Sequence, residues 1–537
     1  MQKKLKSWEQ SMYKAATHGI ISVLRQFNIV CEQSVELSNF RGGLTNDSRE
    51  ITEGDIFCAI IGHAQDGRKY IDSAIVCGAK LVLAECEQSA EHGEVRYVAS
   101  DVDVAVISFY KLNEQLFSLA SAYYQSPQQN MTMIGITGTN GKTSTSQLLA
   151  QALLSCQKPC AIIGTNGAGM VDDLQPLENT TPSATDLVQL FANFSTKKVN
   201  EQAISHLAME VSSHALEQGR ISGETFDIAV FTNLSRDHLD YHGTMADYAT
   251  AKRRLFTNSE NQVAVINGDD LQAQHWLKKW PKAQSSDRNN LWVYGRGTTV
   301  CQYDNFVSCL AIKHHHKGVS FVLSTHLGKS DIHSPLLGDF NIDNLLAAIS
   351  VLLVEGISLT KIAEVVASVN ATPGRMEAFL SAKAPTAVVD YAHTPDALEK
   401  ALIACRQHCQ GKLYVVFGCG GDRDKGKRPL MAQAAQKYAD CLVITNDNPR
   451  TEAPMSIIED IIAGLDEGHE ATVIVNRKQA VIETLTKAGE SDLVLLAGKG
   501  HEDYILLGLE KIAYDERKVV QCFFAEKDKQ NNEGEQL

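Results

Sequence analysis

The sequence predicts an α/β protein built from three segments, and three observations carry that reading. Short apolar runs alternate with helix-compatible stretches along most of the 537 residues, the pattern of mostly parallel sheets covered by helices. Near residue 140 an apolar run from Met131 to Ile136 enters Ile136-Thr137-Gly138-Thr139-Asn140-Gly141-Lys142-Thr143-Ser144, and helix-compatible Ser146 to Leu154 leaves it. In the last third, four apolar strands each end in a polar loop, as expected where ligands bind at the carboxyl edge of a sheet. The pattern divides the chain at residues 1–110, 111–371 and 372–537, in keeping with a length that argues for about three or four domains.

Composition narrows the function before any motif is read. Hydrophobic residues make up 44% and charged residues 21%, as in soluble globular proteins. A net charge of −14 argues against non-specific binding to nucleic acid or membrane, so an anionic substrate needs local basic clusters. The 13 cysteines show no paired metal spacing and read as reduced thiols of a cytoplasmic protein. Cys405-x3-Cys409, with His408 between, lacks a second ligand pair and is expected on one face of a helix. No apolar region follows the basic start from Met1 to Lys6, so no signal peptide is expected. The apolar run from Leu345 to Val354 is a core helix, too short to cross a bilayer.

In the first segment, the runs from Asp55 to Ile61 and from Ala79 to Ala84 read as strands. The polar loops from Leu44 to Arg49 and from Gly62 to Arg68 read equally as caps, turns or ligand contacts. A helix from Phe109 to Tyr124 is expected to lead into the glycine loop.

That loop has the strand, glycine turn, helix order of a phosphate cradle. Gly138 and Gly141 allow the tight turn, the helix start adds a positive dipole end, Lys142 reaches outer phosphates and the Thr143 hydroxyl suits Mg²⁺. Ile136 stands where GxxxxGK[ST] expects its first glycine, and a glycine turn with a surface lysine is the bland alternative. A second Gly-Thr-Asn-Gly, from Gly164 to Gly167, lacks Lys-Thr and reads as a loop. The strand from Leu207 to Val211 carries Glu210 inside it, and a buried carboxylate needs a partner such as a metal. A strand from Ile228 to Asn233 ends at Arg236-Asp237-His238-Leu239-Asp240, a second polar cluster at a carboxyl edge. The stretch from Asp247 to Phe256 reads as a helix with Lys252 on a solvated basic face. The tract His314-His315-His316 reads as a solvated turn without nearby acids, and a helix is expected from about Asn341.

Ala371-Thr372-Pro373-Gly374-Arg375 breaks the pattern and opens the last segment. Its strands run from Ala387 to Asp390, Leu413 to Phe417, Cys441 to Thr445 and Leu493 to Ala497. The loops after them are Tyr391 to Pro395, Gly418 to Asp424, Asn446 to Arg450 and Gly498 to Glu502, and GxGxxG is absent. From Ala525 to Leu537 the chain is charged and expected to fray.

Several stretches together resemble the Mur ligase family: Thr137 to Thr143, Glu210 to His214, Thr232 to Asp240, Gly338 to Asn344 and Pro373 to Glu377. The resemblance covers essentially the whole chain, and Asp47-Ser48-Arg49, Gly54 to Phe57 and Gly62 to Gly67 extend it into the first segment. It implies a UDP-recognition domain, a central P-loop ATPase domain and a Rossmann-like amino-acid domain. It further implies an ATP-dependent ligase of peptidoglycan precursor synthesis that adds the third residue of the stem peptide. Asp447-Asn448-Pro449-Arg450 resembles the motif associated with meso-diaminopimelate rather than L-lysine.

By matched position, the resemblance assigns Asn46, Ser48, His63, Ala64 and Gln65 to the UDP-sugar. Asn179, Thr180, Thr181, Ser212, Gln218 and Arg220 go to the muramoyl-peptide part. Gly138, Thr139, Asn140, Gly141, Lys142, Thr143 and Ser144 would take ATP, with Asn344 and Arg375 near the rest of the nucleotide. Thr143, Glu210, His238 and Lys252 would serve Mg²⁺, Lys252 as a carbamate formed from CO₂, against its reading as a solvated cation. Arg423, Asp447, Asn448, Pro449, Arg450, Gly498 and Glu502 would bind diaminopimelate, whose distal zwitterion suits an arginine fork and a carboxylate. Lys142, Glu210, His238 and Lys252 form the implied catalytic set, and Asp390 and His393 would help orient the amine step. The expected partners are these small molecules alone, with no nucleic acid and no membrane, acting on a monomer. The alternatives are an L-lysine-adding ligase, another amino-acid ligase such as folylpolyglutamate synthase, and a P-loop NTPase switch without ligase activity.

Overall fold

The computed structural model describes residues 19–30, 42–63, 65–98, 104–224, 226–256, 262–280 and 290–534. The chain divides into two compact units, Met1–Val293 and Tyr294–Leu537. No helix among the described residues is long and apolar enough to cross a membrane.

The first unit holds two main sheets. One runs in the order Leu44–Thr45, Ile56–Ala59, Leu81–Cys86, Val104–Tyr110 and Val95–Val98. Its neighbours pair in parallel except Val95–Val98, which runs antiparallel at the edge. The helix expected from Phe109 begins instead at Leu112, because Phe109 is a buried member of a strand and Lys111 turns the chain at φ 54°. Leu116, Phe117 and Ala120 of that helix share a core with Leu187, Val188 and Phe191 of the helix Ala184–Thr196.

The second sheet orders its strands, within this unit, as Val263–Asn267, Ile228–Phe231, Thr132–Thr137, His206–Glu210, Cys160–Gly164, Gly167–Met170 and Asp173–Gln175. The first five pair in parallel and the last two antiparallel. Parallel strands covered on both faces require apolar residues at successive positions, and Ile228–Phe231 is buried at all four. The glycine-loop strand therefore lies between the strand carrying Glu210 and the strand leading to Thr232. Three carboxyl ends meet side by side.

In the second unit, Asn305–His315, Gly318–Thr325 and Gly328–Ser334 form an antiparallel meander. The helix Asp339–Val354 follows, buried from Leu345 to Leu353. The last sheet runs Glu377–Phe379, Thr386–Asp390, Leu493–Ala497, Leu413–Phe417, Cys441–Ile444 and Ala471–Val473, antiparallel only at its first pair.

Two expectations are corrected here. His314 is no solvated turn residue: it lies within the strand Asn305–His315, and its Nε2 lies 2.8 Å from Asp339 Oδ1, an acid 25 positions away in sequence that a local reading does not see. The carboxyl end does not fray from Ala525, since the helix Glu516–Gly534 continues through it. Val520, Phe523 and Phe524 anchor that helix in a core with Val389, Val416 and Leu496. The basic residues Met1 to Lys6 and the last three positions lie outside the described residues.

Candidate active site

The glycine loop joins Thr132–Thr137 to the helix Lys142–Ser155. Gly138 takes φ 154°, and a Cβ there would meet Thr232 Oγ1 at 1.9 Å. That close approach lets the neighbouring strand end clamp the loop. Thr139 N–H donates to the Asn233 carbonyl at 2.8 Å, Asn140 N–H to Asn233 Oδ1 at 3.0 Å, and Thr232 Oγ1 to the Asn140 carbonyl at 2.6 Å. Lys142 Nζ donates to the Gly138 and Thr139 carbonyls at 2.8 and 3.0 Å, so the loop's cation lies across its own backbone. Ser144 is half-buried in the first helical turn.

Glu210 ends the adjoining strand, 1% exposed. Its Oε2 accepts from Thr143 Oγ1 at 2.9 Å, and its Oε1 accepts from Thr165 N–H at 2.9 Å. Burial pushes its carboxyl pKa up, against the opposing pull of Lys142 and these donors. The second Gly-Thr-Asn-Gly is thus more than a loop, because Thr165 helps hold Glu210. A Cβ on Gly164 would stand 2.1 Å from Glu210 Oε1, so the glycine makes room for the carboxylate. Nothing in the local sequence points from Gly164 to Glu210, which lies 46 positions on.

Lys252 is buried at 1% exposure on the helix Met245–Arg253, which overturns the solvated-face reading. Its Nζ donates to the Gly138 carbonyl at 2.8 Å and lies 4.6 Å from the centre of the Tyr248 ring. Burial, and then the Lys142 charge, bring its pKa down to about 6. His238 is exposed, at φ 52°, with its ring edge-on to His214 at 5.0 Å. Among the described residues no three His, Cys, Asp or Glu side chains gather to hold a metal. The hydroxyl of Thr143 and the carboxylate of Glu210 are nonetheless hard oxygen donors of the kind Mg²⁺ takes.

The residues matched to the muramoyl-peptide gather around the same strand end. Thr181 Oγ1 donates to the Glu210 carbonyl at 2.8 Å and accepts from Ser212 N–H at 3.0 Å. Thr180 and Thr165 hydroxyls are 3.1 Å apart, and Arg220 Nε donates to Gln218 Oε1 at 3.0 Å. Asn179 is exposed nearby in sequence. Asn46 Oδ1 accepts from Thr185 Oγ1 at 2.7 Å, tying the first sheet to the helix Ala184–Thr196. Ser48 sits in the turn after it, while His63 and Gln65 are exposed; Ala64 lies outside the described residues. His63 and Gln218 line one cavity of about 490 Å³, together with Asn113 and Arg254.

In the second unit, Asn344 is buried in the helix Asp339–Val354, where its Nδ2 donates to Asn341 Oδ1 at 3.1 Å. The Arg375 guanidinium lies 4.9 Å over the Tyr391 ring. Both carboxylate oxygens of Asp390 accept backbone N–H groups, from Met376 at 2.8 Å and Ala392 at 2.9 Å, which commits the side chain to bracing two turns. His393 is exposed, and its ring packs 4.8 Å from Tyr391.

The four loops of the last sheet form one connected surface. Arg450, at φ 51°, donates from Nη1 to the Gly421 carbonyl at 2.9 Å. Gly421 N–H donates to the Asn448 carbonyl at 2.9 Å, and Gly498 N–H to the Asp390 carbonyl at 3.0 Å. Pro449 and Asp447 are buried, whereas Arg423 is exposed at the rim. Glu502 Oε2 accepts from Asn448 Nδ2 at 3.0 Å and from Lys499 Nζ at 2.7 Å. Sequence reasoning passed over two members of this surface, Lys499 and Arg428. Arg428 is fully buried, donates to Glu452 Oε1 at 2.8 Å, and through Glu452 holds Asp422 N–H at 2.6 Å. Lys499 in a charged loop and Arg428 in the first turn of the helix Lys427–Tyr438 both look like ordinary surface residues in a sequence.

Comparison with known proteins places the chain in a family. The Mur ligase family catalytic domain matches residues 42–124, the Mur ligase middle domain 136–352, and the Mur ligase glutamate ligase domain 374–500. A UDP-N-acetylmuramoyl-L-alanyl-D-glutamate–2,6-diaminopimelate ligase of Haemophilus influenzae is 42% identical over 492 residues, covering 92% of this chain and 97% of that one. A solved structure with the same name is 33% identical at TM-score 0.70, covering 95% of this chain and 99% of the other. Folylpolyglutamate synthase of Mycobacterium tuberculosis, solved with ADP and AMPPCP, shares the fold alone: 20% identity, TM-score 0.54, 72% of this chain and 92% of that one. Matched in all three segments and across nearly its whole length by a relative of this identity, the chain belongs to the Mur ligase family.

Proposed function

We propose that the chain is an ATP-dependent ligase that joins meso-diaminopimelate to the D-glutamate of UDP-N-acetylmuramoyl-L-Ala-D-Glu in peptidoglycan precursor synthesis. One observation carries the reading. The glycine loop, Glu210 and the group Thr180, Thr181, Ser212 and Arg220 surround adjacent strand ends, so a triphosphate and a substrate carboxylate can lie side by side. The 42% identity to a diaminopimelate ligase names the substrates.

In this reading residues 1–110 recognise the UDP-sugar, 111–371 carry ATP and 372–537 bind the amine, in a cytoplasmic monomer. Thr143, Glu210, His238 and a carbamylated Lys252 would hold Mg²⁺, which supplies charge neutralisation to the phosphates when bound. Carbamylation needs a neutral amine, and a lysine with a pKa of about 6 supplies one at pH 7. The amine adds to CO₂ and releases a proton, turning a cation into a carboxylate-like donor.

The glutamate carboxylate oxygen attacks the γ-phosphorus and ADP departs, while Lys142 and the loop amides stabilise the charge that develops. The neutral amine of diaminopimelate then attacks the acyl carbon, loses a proton and expels phosphate. Arg450, Arg423, Asn448 and Glu502 select the amine by its distal zwitterion. L-Lysine lacks the distal carboxylate and would leave arginine donors unmatched. The test is ADP release by the full chain with UDP-muramoyl-dipeptide and ATP. Release is expected with meso-diaminopimelate, strongly reduced with L-lysine and negligible without amine. Equal release in the absence of amine would favour an NTPase switch, and preference for L-lysine would favour the lysine-adding ligase.

A further inference from the structure

Behind Glu502 lies a buried cation that this mechanism leaves unused. Lys499 is 0% exposed. Its Nζ donates to Glu502 Oε2 at 2.7 Å and to Asn448 Oδ1 at 3.1 Å, and lies 3.6 Å from Asp447 Oδ1. A fully buried ammonium hydrogen-bonded to two protein oxygens and paired with a third is not available to a ligand. It holds other groups in place.

Those groups are the ones that face the amine. Asn448 Oδ1 also accepts from Leu506 N–H at 2.8 Å, and its Nδ2 donates to Glu502 Oε2 at 3.0 Å, which fixes the amide in one orientation. Glu502 Oε2 therefore takes two donors from behind, while Oε1 has the Tyr391 hydroxyl at 3.4 Å. One layer deeper, Arg477 is 2% exposed, donates to Glu516 Oε1 at 2.9 Å and lies 3.9 Å from Asp447 Oδ2. The network thus sets two cations, Lys499 and Arg477, against three carboxylates, Asp447, Glu502 and Glu516. These five buried or half-buried groups alone sum to one negative charge, which an ammonium group would complement.

We propose that Lys499 is the positioning residue of the amine site, fixing Asn448 and Glu502 in one geometry and leaving Glu502 Oε1 as the acceptor for a substrate ammonium. The proposal rests on reading this loop surface as the diaminopimelate site. Glu502 then acts within a neutral Lys–Glu pair, so the surplus charge is shared through the network rather than sitting on one exposed carboxylate. Burial alone would push the Glu502 carboxyl up; the Lys499 ion pair outweighs it and holds the group below the usual range. The charged and titratable groups around the pair beyond that network are Tyr391 and Arg375 beside one strand end, Arg450 on the next loop, and His501, Asp503 and Tyr504 on its own.

The experiment compares wild type, K499M, K499R, E502Q and the K499M/E502Q double variant as full chains, with kcat and each KM measured separately. K499M is expected to raise KM for meso-diaminopimelate about tenfold or more and to leave KM for ATP within about twofold. Its diaminopimelate KM should also rise as pH falls between about 8 and 5, as Glu502 protonates without its counterion. K499R should recover part of the loss, and adding K499M to E502Q should cost little further. An unchanged diaminopimelate KM in K499M, an equal rise in the KM for ATP, or full additivity in the double variant overturns the role. If K499M does not fold, K499R decides: a diaminopimelate-specific KM change supports the role and none refutes it. A wild-type chain that forms no product with diaminopimelate overturns the site assignment itself, a result distinct from all of these.

Discussion

Lys252 Nζ and the Gly138 carbonyl are 2.8 Å apart, so a buried amine on one helix closes directly onto the phosphate loop. Burial and the neighbouring Lys142 charge keep that amine largely neutral at pH 7, with a pKa of about 6. Carbamate formation consumes the neutral form, so activity should decline as pH falls through about 6. CO₂-depleted buffer should lower kcat, and bicarbonate should restore it. Lys252→Ala should reduce kcat by about 10²–10³-fold, with partial recovery on adding a short-chain carboxylate. Steady-state rates under controlled CO₂ decide, and an Ala variant with wild-type kcat would remove the carbamate from the account.

Gly164 is the space that Glu210 occupies. Gly164→Ala places a Cβ 2.1 Å from Glu210 Oε1, and all three nearest atoms belong to the Glu210 side chain. The carboxylate must move, so kcat should fall about tenfold or more while KM for the amine holds. A titration of rate against Mg²⁺ should show a raised requirement for the metal, and an unchanged one would separate Glu210 from metal binding.

His408 links three elements of the second unit. Its Nδ1 donates to the His315 carbonyl at 2.8 Å, and its Nε2 accepts from Gly338 N–H at 2.9 Å. This pairing requires the neutral ring, and burial lowers its pKa below 6.5. The unfolded chain then binds more protons, so the contribution is complete above pH 6.5 and is lost as pH falls toward the folded-state value. His408→Gln should flatten the fall of Tm with acidification between about pH 7 and 5. His408→Ala should cost about 1–3 kcal/mol for each backbone group left unpaired.

The carboxyl-terminal helix is part of the core. Phe524, 6% exposed, packs with Phe523 and Val520 against the last sheet. Phe524→Ala should destabilise this unit by about 3–5 kcal/mol, readable as a lower denaturation midpoint. A midpoint within error of wild type would mean the helix contributes little.

The legible parts of this molecule were those written in contiguous residues. Strand Leu413–Phe417 and strand Leu493–Ala497 have the bounds their apolar runs suggested, because a strand buried on both faces has no polar positions to blur its ends. The glycine loop was legible for the same reason, since its turn chemistry is local. What escaped was held by distance in sequence. The clamp of Thr232 and Asn233 on the loop spans more than 90 positions, and the approach of Gly164 to Glu210 leaves no trace in either neighbourhood. The burial of Lys252 and Lys499 is not written in their neighbouring residues, because a lysine's burial is decided by what packs above it. The charge from Ala525 onward predicts a frayed tail, yet the aromatic and branched residues Val520, Phe523 and Phe524 just before it anchor a helix that runs through Gly534.

The central claim is that the chain activates a carboxylate by phosphorylating it before an amine captures the acyl group. Ligation with UDP-muramoyl-dipeptide labelled with ¹⁸O in the D-glutamate side-chain carboxylate tests this most directly. An acyl phosphate predicts one ¹⁸O atom in each phosphate released, with ADP, phosphate and amide formed in equal amounts. Unlabelled phosphate, or phosphate released faster than amide forms, would contradict it.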